Sequence, residues 1–117
     1  MPTLRKIVLA AGLMAALGAF GTAAAEQAVT PIDQLQRGMP STVQGTVLRF
    51  TDEDTFRLQD DTGTVSVYIG WRNRVALRPG ESVTVEGLVD DDLLSVVRPE
   101  LYAHRITRAD GSVIELR

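Results

Sequence analysis

Two acidic triplets stand out in this chain, Asp52-Glu53-Asp54 and Asp90-Asp91-Asp92. Carboxylates brought together offer hard oxygen donors, which suit Ca²⁺ or Mg²⁺, and they equally attract organic cations. Neither triplet has the spacing of a calcium loop. Asp is also a common turn residue, so an ordinary solvated turn is the plain alternative. A second group is Arg57, Gln59, Ser66 and Tyr68, with Trp71 close behind. On the outer face of a sheet such side chains stack against planar ligands. Partial packing is the alternative for Tyr68, and core cover for Trp71, because large aromatics bury readily. Arg72, Arg74 and Arg78 form a basic run that either stays solvated or pairs with the acidic turns.

Other chemistry is excluded more firmly. His104 is the only histidine and there is no cysteine. A lone His builds no nucleophilic triad. No phosphate loop, nucleophile elbow or metal-ligand spacing occurs. The expectation is a protein without catalysis and without a cofactor.

The N-terminus reads as an export signal. Arg5 and Lys6 precede an uncharged stretch from Ile7 to Phe20, and Ala23-Ala24-Ala25 fits a cleavage site. The apolar run is shorter than the ~20 residues a membrane-spanning helix needs. The reading is therefore a signal peptide over residues 1–25, cut before Glu26, with delivery to the periplasm and no stable membrane insertion afterwards. Residues 26–117 then form one small domain, expected to be monomeric, which must be held by burial rather than by disulfides. That part contains ten arginines, no lysine and fifteen acidic residues. Its negative balance disfavours a phosphate backbone and suits a cationic partner.

Hydrophobic alternation places the elements that must carry these residues. Thr30-Pro31 has the form of a helix start, with about two turns ending at Gly38 and Pro40. Strand one covers about Ser41 to Thr51. Val43, Gly45 and Val47 share one face, after which Leu48 and Phe50 shift to the other, which predicts a bulge or coil. Thr55–Gln59 points Phe56 and Leu58 inward. The Asp60-Asp61-Thr62-Gly63 turn follows, with Gly63 suited to positive φ. Val65, Val67 and Ile69 point inward next, then Val83, Val85 and Val89. A fifth strand starts at Leu93, is kinked at Pro99 and runs to about Thr107. Val113–Leu116 pairs back as a short last strand.

Short strands, a single small core and glycines at 45 and 87 predict an all-β, five-stranded Greek-key OB-fold barrel with a short N-terminal helix. The pattern is Gly45, Val47, Phe56, Leu58, Asp60 or Asp61, Gly63, Val65 and Val67, then Pro79, Gly80, Val83, Val85, Gly87 and Val89. With the signal peptide, Trp71 and Val85-Glu-Gly-Leu-Val-Asp90, it resembles the bacterial OB-fold family of small exported stress-tolerance proteins. The extra Arg98-Pro99 and the tail after Ile106 depart from that pattern. The resemblance implies a periplasmic, non-catalytic binding module for a small or cationic ligand or an envelope protein. Alternatives are a single-strand nucleic-acid binder by analogy of fold, disfavoured by acidity, and a periplasmic metal or haem carrier. Leu101-Tyr-Ala-His104 is faintly similar to the exported haem chaperone of cytochrome c maturation, but the membrane anchor and the Tyr after the His are missing. In an OB barrel the turns after strands one and four border the same end. Asp52, Glu53, Asp54, Asp90, Asp91 and Asp92 would meet there, with Arg57, Tyr68 and Trp71 as the second candidate surface.

Overall fold

A computed structural model describes residues 28–91 and 99–117. Residues 1–27, on which the expected signal peptide falls, and residues 92–98, on which the expected start of the fifth strand falls, lie outside the described residues. Six strands follow one short helical turn: β1 (Pro40–Asp52), β2 (Thr55–Asp60), β3 (Gly63–Tyr68), β4 (Ser82–Val89), β5 (Glu100–Arg108) and β6 (Val113–Glu115). Their order across the sheet is β3-β2-β1-β4-β5-β6. A parallel pairing of β3 with β5, Ser66 to Tyr68 against Glu100 to Tyr102, closes the first five into a barrel. This is the OB-fold topology, with β6 laid on β5.

β1 serves both sides of the barrel. Pro40 to Thr46 pair with β4, and Thr46 to Asp52 pair with β2. The register shifts between Val47 and Arg49, where the alternation of the sequence slips. Gly45 permits the bend: a Cβ there would strike the backbone carbonyl of Gln59. Gly87 does the same on β4, where a Cβ would strike the carbonyl of Tyr102. Opposite Gly87 the β4–β5 ladder also shifts register. The irregularity of the last long strand is therefore near His104. Pro99 instead stands just before β5, since it has no N–H to give the ladder.

Alternation sets the core. Val43, Val47, Phe56, Leu58, Val67, Val85, Val89, Leu101 and Ile106 are fully buried. Burying one such side chain is worth roughly 1.5–3 kcal/mol. Ile32 and Leu77 close the ends of the same cluster, and Phe50, Val75, Ile114 and Leu116 pack on it from outside.

The N-terminal helix is shorter than the sequence suggests. It is one 3₁₀ turn, Ile32–Gln34, and Leu35 is already extended. A later N–H is diverted: Gly38 N, which a longer helix would direct to Gln34 O, donates to Val89 O at 2.9 Å. Ile32 N, free in any helix start, donates to the Asp60 carboxylate at 2.9 Å. Gly63 also departs from expectation, since its φ is not positive. Asp60 shapes that turn by accepting from Thr62 N, the Thr62 hydroxyl and Gly63 N at 2.7, 2.6 and 3.1 Å. Residues 71–81 form an irregular cover whose ties include Arg108, bidentate on Glu81 at 2.7 and 3.2 Å.

Candidate functional site

The two acidic turns differ in character. Asp52 and Glu53 are exposed, and Asp52 accepts from its neighbour's N–H at 2.8 Å. Glu53 stands 4.0 Å from Arg74 in an exposed ion pair, a geometry worth little in water. This pair links the basic run to the first acidic turn. Asp54 is half-buried. Its carboxylate accepts from the Thr55 hydroxyl at 3.0 Å, and its carbonyl from Ile69 N at 2.8 Å. On the other side Asp90 is buried and Asp91 exposed, while Asp92 lies outside the described residues.

Glu100, which the sequence reading passed over, connects them. Asp90 N donates to Glu100 O at 2.8 Å. The Glu100 carboxyl is raised above the usual carboxylate range, first by burial, then by the negative charges of Asp90 and Asp54. Residues far apart in sequence therefore act on one half-buried carboxyl. Its alternation gave Glu100 away only weakly, because the β3–β5 pairing that brings it to Ser66 is parallel and non-local. Among the described residues no three acidic or histidine side chains are grouped so as to hold a metal ion.

A shallow groove borders the first acidic turn. Phe50, Val75 and Leu77 supply its apolar part, with Asp52, Glu53 and Arg74 at its polar part. Trp71 lies beyond Ile69, whose N–H reaches Asp54 O. The reading of Trp71 as core cover fails, because it is 68% exposed. Its ring instead carries the Arg72 guanidinium, 5.0 Å from the centroid. The tight turn at Gly70 ends the alternation that would have carried residue 71 inward.

The second candidate surface is only partly assembled. Arg57 donates to the Ser66 hydroxyl at 2.8 Å and to the Thr64 hydroxyl, so its guanidinium lies along β3. Tyr68 meets Tyr102 of β5 edge-on, with ring centroids 5.7 Å apart. Tyr102 is a second residue the sequence reading did not select. His104 is exposed beside a shallow groove lined by Thr30, Ser41, Thr42 and Glu86.

Residues 11–100 match the family described as bacterial OB fold (BOF) protein. Among solved structures the chain is similar to the hypothetical protein ygiW from E. coli. The identity is 24%, the match covers 71% of this chain and 91% of that one, and the TM-score is 0.60. At that identity the likeness is one of fold. No curated protein matches the sequence.

Proposed function

The chain belongs to the bacterial OB fold family, and from that premise we propose that it is an exported, non-catalytic binding module of the periplasm. Its ligand is a cation, taken up where the turn after β1 and the end of β4 approach each other, and its role is in tolerance of envelope stress. One observation carries the reading. Glu100 is held half-buried with Asp54 and Asp90 acting on it, so its negative charge is disfavoured. A cation bound there relieves the repulsion and stabilises the fold. The groove of Phe50, Val75 and Leu77 beside Asp52 and Glu53 offers apolar cover to an organic cation.

The test is thermal unfolding with spermine, choline, Ca²⁺ and Mg²⁺, each against NaCl at equal ionic strength. An organic cation should raise the midpoint beyond the NaCl effect, and Asp54→Asn should reduce that rise. If every cation acts only as NaCl does, the turns are solvated loops and the reading fails.

A further inference from the structure

The ladder between β1 and β2 sets Arg49 directly opposite Arg57. Paired residues of a ladder stand on the same side with Cβ atoms about 4.5–5.5 Å apart, and like charges so placed repel. The side is the outer one, because Phe56 and Leu58, the chain neighbours of Arg57, are buried in the core. Two arginines elsewhere on the wall have acidic partners. Arg105 of β5 stands opposite Glu86 of β4 and Glu115 of β6, and its guanidinium reaches them at 3.4 and 2.9 Å. Arg108 holds Glu81 at 2.7 Å. Fifteen acidic residues occur in this chain, yet the register opposite Arg49 holds a second arginine.

The two side chains differ in freedom. Arg57 is held along β3 by the hydroxyls of Ser66 and Thr64. Hydroxyls fix the direction of a guanidinium and leave its charge in place. Arg49 is exposed, and among the described residues no hydrogen bond or ion pair engages it. A fixed cation beside a movable one makes a clamp in which only one arm loses freedom on closing. The surroundings supply neutral polar groups. Thr55 and Gln59 flank Arg57 along β2, and Thr64, Ser66 and Tyr68 face outward on β3 because Val65 and Val67 are buried. The row runs on from Ser66 to Glu100 of β5. At ~4.8 Å per strand, Glu100 stands about 10 Å from Arg57 and about 14 Å from Arg49 along the wall, beyond the ~8 Å screening length at physiological salt. Burial also disfavours its negative charge.

We infer that Arg49 and Arg57 hold an oxoanion, a carboxylate or phosphate group of a small ligand, between them on the outer wall. The guanidinium fork matches both groups in two-point hydrogen bonding. The bound charge offsets the repulsion of the pair, and the hydroxyls and the Gln59 amide meet the polar remainder of the ligand. This site is separate from the cation at the barrel end and stands whether or not that reading holds.

NMR of the isotope-labelled exported protein tests it through the arginine Nε–H signals. Sodium phosphate and sodium acetate are titrated separately, each against NaCl at equal ionic strength. The signals of Arg49 and Arg57 should shift saturably beyond the NaCl effect, while those of Arg105 and Arg108, already held by carboxylates, stay in place. A response to phosphate alone assigns a phosphate ligand and one to acetate alone a carboxylate, and either bears the inference out. Arg49→Gln should weaken binding about tenfold or more, and Arg49→Lys, which keeps the charge without the fork, should weaken it less. Arg49 is exposed, so its variants leave the core untouched. In thermal unfolding at low salt, the bound anion should raise the parent midpoint more than that of Arg49→Gln. The inference is overturned if neither anion moves Arg49 and Arg57 beyond NaCl, if all four arginines move alike, or if Arg49→Gln binds as the parent does.

Discussion

Asp90 and Glu100 are joined through their backbones and opposed through their side chains. The Asp90 N–H donates to the Glu100 carbonyl at 2.8 Å, while burial and the Asp90 charge raise the Glu100 carboxyl. The hydrogen bond holds the two backbones together, so the repulsion cannot be relieved by moving the strands apart.

That geometry sets a pH dependence. A carboxyl raised in the folded state holds its proton longer there than in the unfolded chain. Stability from this group is then lost as pH rises from the ordinary Glu value through the raised one. Glu100→Gln should therefore be more stable than the parent at neutral pH, by about 0.5–1 kcal/mol after solvent screening. Urea unfolding at pH 4 and pH 7 checks it, and an equal or lower neutral stability counts against the repulsion.

Asp60 has the opposite sign. Burial raises its carboxyl, but bonds from the Thr62 hydroxyl and from the N–H groups of Ile32, Thr62 and Gly63 outweigh that and leave it lowered. Its contribution is present above the ordinary Asp value and is lost as pH falls through the lowered one. Asp60→Ala should cost about 1–2 kcal/mol at pH 7 and much less in acid. A cost that stays the same at both ends of the titration would separate the loss from ionisation.

Phe56 and Gly45 test the barrel itself. Phe56 is fully buried, so Phe56→Ala should cost about 3–5 kcal/mol. Gly45→Ala places a methyl against the Gln59 carbonyl and should cost about 1–3 kcal/mol through forced backbone shifts. Chemical denaturation measures both, and a parent-like midpoint for either variant contradicts the packing described.

Export is checked by intact mass. The periplasmic fraction should yield a chain beginning at Glu26. A product that keeps Arg5 and Lys6 and sediments with membranes would refute cleavage.

The barrel was legible because period-two alternation is a local signal. Phe56, Leu58, Val65 and Val67 alternate with polar neighbours, and the slip after Val47 marks the bend of β1. The helix after Thr30 was overread, because a cap motif carries no information about where the N–H groups of the next turn find partners. Gly38 N, which a longer helix would direct to Gln34 O, donates to Val89 O, remote in sequence. Trp71 was overread as cover for a related reason: composition suggests burial, but the turn at Gly70 decides direction. For the site, the acidic turns announce themselves by composition, whereas Glu100 and Tyr102 acquire neighbours only through the pairing of β3 with β5. Nothing local to either residue encodes that pairing.

The same parallel seam has a kinetic consequence. The hairpins β1–β2 and β2–β3 join near neighbours, but Ser66 finds Glu100 only after β4 and the chain beyond it have been made. Closing so long a loop is entropically slow, and topologies rich in such distant pairings fold slowly. Until the seam closes, the outer edge of β3 is bare and Val67 lacks Leu101 across it. A chain leaving the ribosome therefore passes through a sticky half-barrel, with an edge to which other strands can add. Under the proposed export, a chain translocated unfolded would postpone that stage, and the last step of barrel closure would become an event of the destination compartment.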